Sequence, residues 1–229
     1  EYGRLMPDPA RFPSTAHGVG FAALADYVHG LGLQFGIHIM RGIPRWAVEQ
    51  NLPVKASPVR AADIADKTHV CTWPNMTDMY GIDHRRPGAQ AYYDSIAELY
   101  AGWAVDYVKA DDIAQSHDPD YPYHAAEIEA LSRALRECGR PIILSLSPGP
   151  TPLEQAPHLR QHAHLWRISN DFWDDWSSLK AQFERAQRWE NEIQPGGWPD
   201  ADMLPLGRIG IRGEVGDERL THFTHDEQR

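Results

Sequence analysis

PGAQAYYDSIAELYAGW (Pro87–Trp103), then VDYVK (Val105–Lys109), then ADD (Ala110–Asp112) is the stretch whose reading decides the fold. Apolar residues at helical spacing make the first part an amphipathic helix, and the second is a short β-rich run. Two carboxylates follow directly. The same succession recurs in both directions. Toward the amino end, GFAALADYVHGL (Gly20–Leu31) has helical spacing, Gly32 closes it as a C-cap would, and LQFGIHI (Leu33–Ile39) reads as a strand. Toward the carboxyl end, a helix over His124–Cys138 stops at Gly139, and PIILSL (Pro141–Leu146) is the next strand. A short Pro-flanked helix over Leu153–Arg160 leads to LWRIS (Leu165–Ser169), and a longer helix over Trp176–Asn191 leads to a strand-like segment over Gly197–Leu204.

Strands that alternate with helices imply right-handed βαβ units and a parallel sheet, hence an α/β fold. Five strands can be read, whereas a closed barrel needs eight, so an open sheet and an incomplete barrel both fit. No low-complexity linker divides the chain, and residues 1–229 read as a single domain. His38, Asp111, Ser147, Asp171 and Asp202 all fall at or just after strands, the end where parallel α/β folds place their sites. Arg41–Arg86 reads as a long loop, a candidate lid or binding loop, with Trp46, His69, Trp73, Asn75 and Tyr80 suited to stacking on sugar rings and bonding hydroxyls.

Composition narrows the function classes. With 42% hydrophobic and 24% charged residues the chain has the proportions of a soluble globular protein. A net charge of −10 argues against nucleic acid, whose phosphates demand a basic surface. No stretch is long and apolar enough for a membrane span. EYGRLMPDPARFP (Glu1–Pro13) is neither basic nor a hydrophobic run, so it does not read as a signal peptide, and the missing initiator Met suggests a start partway through a longer product. Cys71 and Cys138 make no disulfide framework and are expected to be free thiols. No feature of the sequence sets an oligomeric state.

The chemistry is carried by three segments. In VDYVKADD, strand alternation sends Lys109 and Asp111 one way and Ala110 and Asp112 the other. A cation fixed beside Asp111 favours its ionised form, as a nucleophile or base requires, although a structural ion pair at a strand end would read the same. In LWRISNDFWDDW, Arg167, Ser169 and Asp171 share a face, and Phe172, Trp173 and Trp176 are apolar neighbours that would favour a protonated Asp171. Asp174 and Asp175 read as helix N-terminal carboxylates facing solvent or the helix dipole. In GGWPDADML (Gly196–Leu204), Trp198, Asp200 and Asp202 alternate onto one face; Asp202 orients Arg167 or accepts a sugar hydroxyl, or else sits in a buried salt bridge. Two differently placed carboxylates at strand ends fit the logic of glycoside hydrolysis. A metal-dependent hydrolase is a poorer fit: among twelve histidines the one pair with His-x-His or His-Glu-x-x-His spacing, His162 and His164, precedes its strand, at the wrong end of the sheet.

YGRLMPDPARFP, FGIHI, VDYVKADD, WRISND and GGWPDADML, in that order and spacing, resemble glycoside hydrolase family 27, the α-galactosidase and α-N-acetylgalactosaminidase family, across nearly the whole chain. MRGIPRWAV and WPNMTDMYGID look like its bacterial members. The resemblance implies a (β/α)8 TIM-type barrel, here incomplete, with the family's first two strands expected before Glu1 and its last strand and a C-terminal β-sandwich after Arg229. It implies a retaining α-glycosidase for terminal galactose-like sugars that uses neither metal nor cofactor, with a carbohydrate substrate as its partner and a periplasmic or secreted setting. Asp111 matches the nucleophile and Asp171, four residues past Arg167, the acid/base; Lys109, Arg167 and Asp202 match sugar-binding or nucleophile-orienting positions, with Trp73 and Trp198 as further candidate sugar contacts. Three positions depart from the pattern. Ser147 stands where many α-galactosidases carry a Glu toward the 2-hydroxyl, His38 replaces a Tyr, and Ile113 replaces a Cys. α-N-acetylgalactosaminidase, β-L-arabinopyranosidase and isomaltodextranase activities therefore stand as alternatives, beside a non-catalytic carbohydrate-binding relic.

Overall fold

The computed structural model describes residues 1–71, 73, 76–115, 122–210 and 218–229. Helix α1 (Ala22–Gly30) leads into β1 (Gly36–Met40). An excursion follows, made of β2 (Ile43–Pro44), α2 (Arg45–Glu49), α3 (Ala61–Ile64), β3 (Ala65–Asp66) and β4 (Met79–Ile82). Regular alternation then resumes with α4 (Ala89–Gly102), β5 (Tyr107–Asp111), α5 (Ala125–Glu137), β6 (Ile143–Leu146), α6 (Ala156–His162), β7 (Leu165–Arg167), α7 (Trp176–Trp189) and β8 (Trp198–Asp200). Two short strands, β9 (Arg208–Ile209) and β10 (Arg219–Leu220), pair antiparallel near the end.

The five principal strands form one parallel sheet in the order β1-β5-β6-β7-β8. That order follows the chain without reversal, whereas a doubly wound open sheet reverses at a switch point. Tyr92, Tyr93 and Ile96 of α4 and Ile128, Leu131 and Leu135 of α5 form one core with Val108, Ala110, Leu144 and Leu146 of the sheet. On β5 the alternate residues Tyr107, Lys109 and Asp111 are only half-buried, so the helices cover one face and leave the other to polar side chains. Sequential winding with helices on one face is the arrangement of a (β/α)8 barrel wall, and the chain forms part of such a barrel.

Several sequence readings are corrected. The stretch read as a loop over Arg41–Arg86 holds a three-stranded antiparallel sheet in the order β2-β4-β3, with α2 and α3 packed between. Its short strands are not set between long amphipathic helices, the context that makes the equally short β6, β7 and β8 legible. The sequence GEVGDERLTHFTHDEQR (Gly213–Arg229) reads as a loop entering a helix, but its described part is β10 followed by turns. Asp175 does cap α7, accepting from Ser178 N at 2.9 Å, but Asp174 is buried. Its carboxylate holds Arg219 and accepts from His222 N at 2.6 Å, tying the terminal segment to the start of α7. Both cysteines are free, with Cys71 buried.

Candidate active site

Parallel pairing sets the first part of the site. His38 lies opposite Lys109, and Met40 opposite Asp111, while Lys109 lies opposite Ser145 on the other side. Their side chains share the face that the helices leave open. Asp111 ends β5, where its carboxylate takes three hydrogen bonds. His38 Nε2 lies 3.1 Å from Oδ2, and because a carboxylate only accepts, Nε2 carries the proton. Asp112 N donates to Oδ1 at 3.1 Å, and the Ser147 hydroxyl donates as well. Burial alone would push the Asp111 carboxyl up, but the bonds from His38 and Ser147 and the charge of Lys109 outweigh it and hold the group below the ordinary carboxylate range. Ser147 is itself buried, so its hydroxyl serves this carboxylate instead of lining open space.

The second part is built at the end of β7. Arg167 is fully buried, with Nη1 2.9 Å from Asp202 Oδ1 and Nη2 3.2 Å from Asp171 Oδ1. Asp202 also accepts from Phe172 N at 2.7 Å, which fixes the turn that carries Asp171. The adjacent chain approaches so closely that only glycine fits at 149: a Cβ there would lie 2.4 Å from Ser169 O and 2.7 Å from Arg167 O. The expectation of an apolar shell for Asp171 does not hold. Phe172 turns inward against Phe223, Trp173 and Trp176 are exposed, and the Asp171 side chain is 68% exposed.

Asp111 and Asp171 nevertheless line one cleft of about 300 Å³, together with Trp73, Gln115, Pro148 and Asn170. Gln115 Nε2 reaches Asn170 Oδ1 at 3.5 Å, bridging the loops after β5 and β7. Gln115, Pro148 and Asn170 were not singled out from sequence, although each lies within four residues of one that was. Trp198 is not among the lining residues: it opens β8 level with Leu165, two residues short of the end where Asp200 meets Arg167, and stays exposed. Alternation put it on the right face but at the wrong height. Of the aromatic and polar residues proposed for the long loop, Trp73 reaches the cleft; His69 binds Asp66 at 2.7 Å, Tyr80 lies under Arg45, Trp46 lines a separate hollow, and Asn75 lies outside the described residues.

A buried ionic cluster supports the same strand ends and escaped the sequence reading. Arg41, just past β1, donates from Nε to Asp112 O at 2.7 Å, from Nη2 to Asp112 Oδ2 at 2.9 Å and from Nη1 to Glu127 Oε1 at 2.7 Å. Glu127 also accepts from Tyr93 OH at 2.5 Å and Ile82 N at 3.2 Å. Burial raises the Asp112 carboxyl against the pull of Arg41. Nearby His124 is pushed down to about 3, by burial first and then by the Arg41 charge, so it is neutral.

No metal-type cluster occurs at the cleft among the described residues. His164 is a structural acceptor, its Nδ1 taking a bond from Leu144 N at 3.0 Å. His162 instead stands with His158 and Glu129 on the outer helices.

Comparison with known proteins places the chain. Residues 69–223 match the family model described as Alpha galactosidase A. The chain is 31% identical over 221 residues to human alpha-galactosidase A, covering 91% of this chain and 40% of that one. It is 31% identical over 235 residues to mouse alpha-N-acetylgalactosaminidase, covering 97% of this chain and 45% of that one. Among solved structures, a family 27 β-L-arabinopyranosidase from Geobacillus stearothermophilus is 55% identical with a TM-score of 0.94, covering 100% of this chain and 52% of that one. A variant of the same protein is solved in complex with arabinose. The chain thus spans less than half the length of these curated relatives, and about half of that solved structure.

Proposed function

The chain belongs to the alpha galactosidase A family, glycoside hydrolase family 27, and from that premise we propose that it carries the two catalytic carboxylates of a retaining glycosidase for terminal galactose-configured sugars. The observation that carries the reading is that Asp111 and Asp171 face one cleft from the carboxyl ends of β5 and β7, Asp111 largely shielded among its donors and Asp171 exposed beside Arg167. Asp111 is held ionised by donors that leave it little freedom to move. It attacks the anomeric carbon from one face. Asp171, exposed at the cleft, protonates the departing oxygen. Arg167, shared between Asp171 and Asp202, positions it. Water then hydrolyses the glycosyl–Asp111 ester, with Asp171 taking its proton, and the sugar leaves with its original configuration. The two carboxyl groups are expected roughly 5–5.5 Å apart in the substrate complex. Trp73 supplies a stacking face and Lys109 a donor to the bound ring. This chemistry calls on no metal or cofactor.

One observation favours a narrower reading of specificity. β-L-Arabinopyranose has the ring configuration of α-D-galactose without the hydroxymethyl carbon. The arabinopyranosidase is 55% identical with a TM-score of 0.94, against 52% and 0.82 for a Bacillus halodurans structure described as a putative alpha-N-acetylgalactosaminidase and 31% identity for the animal galactosidase and galactosaminidase. We therefore favour β-L-arabinopyranosides as substrates. The test is a comparison of kcat/KM on nitrophenyl β-L-arabinopyranoside, α-D-galactoside and α-N-acetylgalactosaminide with the full-length protein, and proton NMR of the first sugar released. Turnover of none of the three, or a first product of inverted configuration, would refute the mechanism; preference for galactoside would refute only the narrower reading.

A further inference from the structure

Helices α5 and α6 contact one another on the outside of the sheet, and three ligand-type side chains converge between them, away from the cleft. His158 and His162 stand four residues apart on α6, hence on one face of it, with ring centroids 4.5 Å apart. Glu129 of α5 meets them: its Oε1 lies 3.3 Å from His158 Nε2. One donor atom from each of the three residues falls within 4.8 Å of the others. On the far side of the His158 ring, Nδ1 lies 2.7 Å from the Tyr123 hydroxyl. His162 Nδ1 is buried and has no hydrogen-bond partner. When His158 gives its Nδ1 proton to Tyr123, the Nε2 lone pair faces a carboxylate oxygen, and two acceptors so close are bridged by a proton or by a metal cation.

From this geometry we propose that Glu129, His158 and His162 form a zinc-type divalent metal site that clamps α5 to α6, outside the catalytic cleft. Two imidazoles and a carboxylate are a zinc donor set, whereas magnesium and calcium take oxygen ligands. Zinc–ligand bonds of about 2.0–2.1 Å in a tetrahedron separate the ligand atoms by roughly 3.3–3.5 Å. The His158–Glu129 gap already has that length, the other gaps are at most 4.8 Å, and torsional adjustment of His162 together with Glu129, whose side chain is 54% exposed, would close them. Three protein ligands leave the fourth position to water. Tyr123 orients the His158 ring, as an outer partner does in metal sites. Because α5 and α6 flank β6 in the chain, the clamp acts on stability and not on the reacting atoms. The site is independent of the sugar specificity and of the roles assigned to Asp111 and Asp171.

The full-length protein, stripped with a chelator and dialysed, is titrated with zinc chloride by calorimetry and with cobalt chloride by visible absorption. One zinc per chain is expected, with the intense visible bands of tetrahedral cobalt and a rise in Tm on adding zinc. Glu129→Gln and His162→Ala should abolish the stoichiometric binding, and Tyr123→Phe should weaken it roughly tenfold. Absence of a stoichiometric zinc in the parent protein, or binding by Glu129→Gln and His162→Ala as tight as the parent's, would overturn the proposal. Glu129 is exposed and its amide variant is nearly isosteric, so the test stands even if the histidine variant fails to fold.

Discussion

Asp111 and its neighbour Asp112 illustrate how one residue's step along a strand separates chemistry from support. Asp111 faces the cleft with donors from His38 and Ser147, while Asp112 turns inward to Arg41. In the full-length protein Asp111→Ala should abolish turnover, and azide should restore cleavage by entering the vacated space, releasing the leaving group and giving a glycosyl azide of inverted configuration. Asp171→Ala should retain glycosylation by a nitrophenyl glycoside but slow sugar leaving groups by about 10²–10⁴-fold, the usual worth of a general acid. Asp112→Ala should cost stability more than rate; an inactive Asp112→Ala beside a normal Asp111→Ala would mean the register is wrong by one residue. The pH profile gives a separate check. His38 stabilises the charged form of Asp111, so His38→Ala removes a force that lowers the Asp111 carboxyl and must let it rise. The acid limb of kcat/KM should then move to higher pH, and an unmoved limb would place the control elsewhere. The pair Lys109 and Asp111 was legible because alternation along a strand is a local rule. The exposure of Asp171 was not, because whether Phe172 turns toward or away from it depends on Phe223, fifty-one positions on.

At the scale of elements, the strand ends are held by charge as much as by hydrogen-bonded ladders. Arg41 joins the end of β1 to the residue after β5 and to α5 through Glu127, all within a buried setting. Replacing Arg41 by Met would leave Asp112 and Glu127 without their counter-charge, and removing one member of a buried ion pair costs about 3–5 kcal/mol. Urea unfolding should report that loss, and a change below about 1 kcal/mol would show that the cluster simply protonates at little cost. Sequence could not reveal this network, since its members are separated by as many as eighty-six positions and a lone Arg after a strand reads as solvated. The longer helices were legible from their period, and the short principal strands from their regular place between helices. The excursion between β1 and α4 was not, for its short strands and helices follow no such alternation.

The whole molecule is a wall of sequentially ordered strands whose two outer members, β1 and β8, each have one sheet neighbour. On the face away from the helices, Gly36 and His38 of β1 are exposed, and the large apolar residues Leu31 and Leu33 just before that strand are exposed with them. At the other end Trp198 opens β8 and Phe183 of α7 projects outward. A strand with an unpaired row of N–H and C=O groups beside apolar side chains is a template for another chain, and native proteins cover or charge such edges. Nothing on β1 does so: its exposed edge carries no Pro, no bulge and no Lys, and its one polar side chain, His38, is committed to Asp111. Chelation bears on a different part of the molecule, and the full-length protein should keep its turnover in excess EDTA at ordinary assay temperature while losing thermal stability. Residues 1–229 produced alone should behave otherwise, because a partial wall presents both edges at once. Light scattering across a concentration series should show association that grows with concentration and with ionic strength, since salt screens the net charge of −10 that keeps copies apart. Pro placed at Met40, whose N–H alternates away from β5, would remove a donor from the free edge and should suppress association if β1 is the associating edge, whereas Pro at Ile39, whose N–H lies on the side of Arg41 N, the donor to Asp111 O, should unfold the sheet. A chain of 229 residues that stays monomeric at high concentration and high salt would mean that the edges are covered by the chain's own segments, and that the wall is closed by something other than further strands.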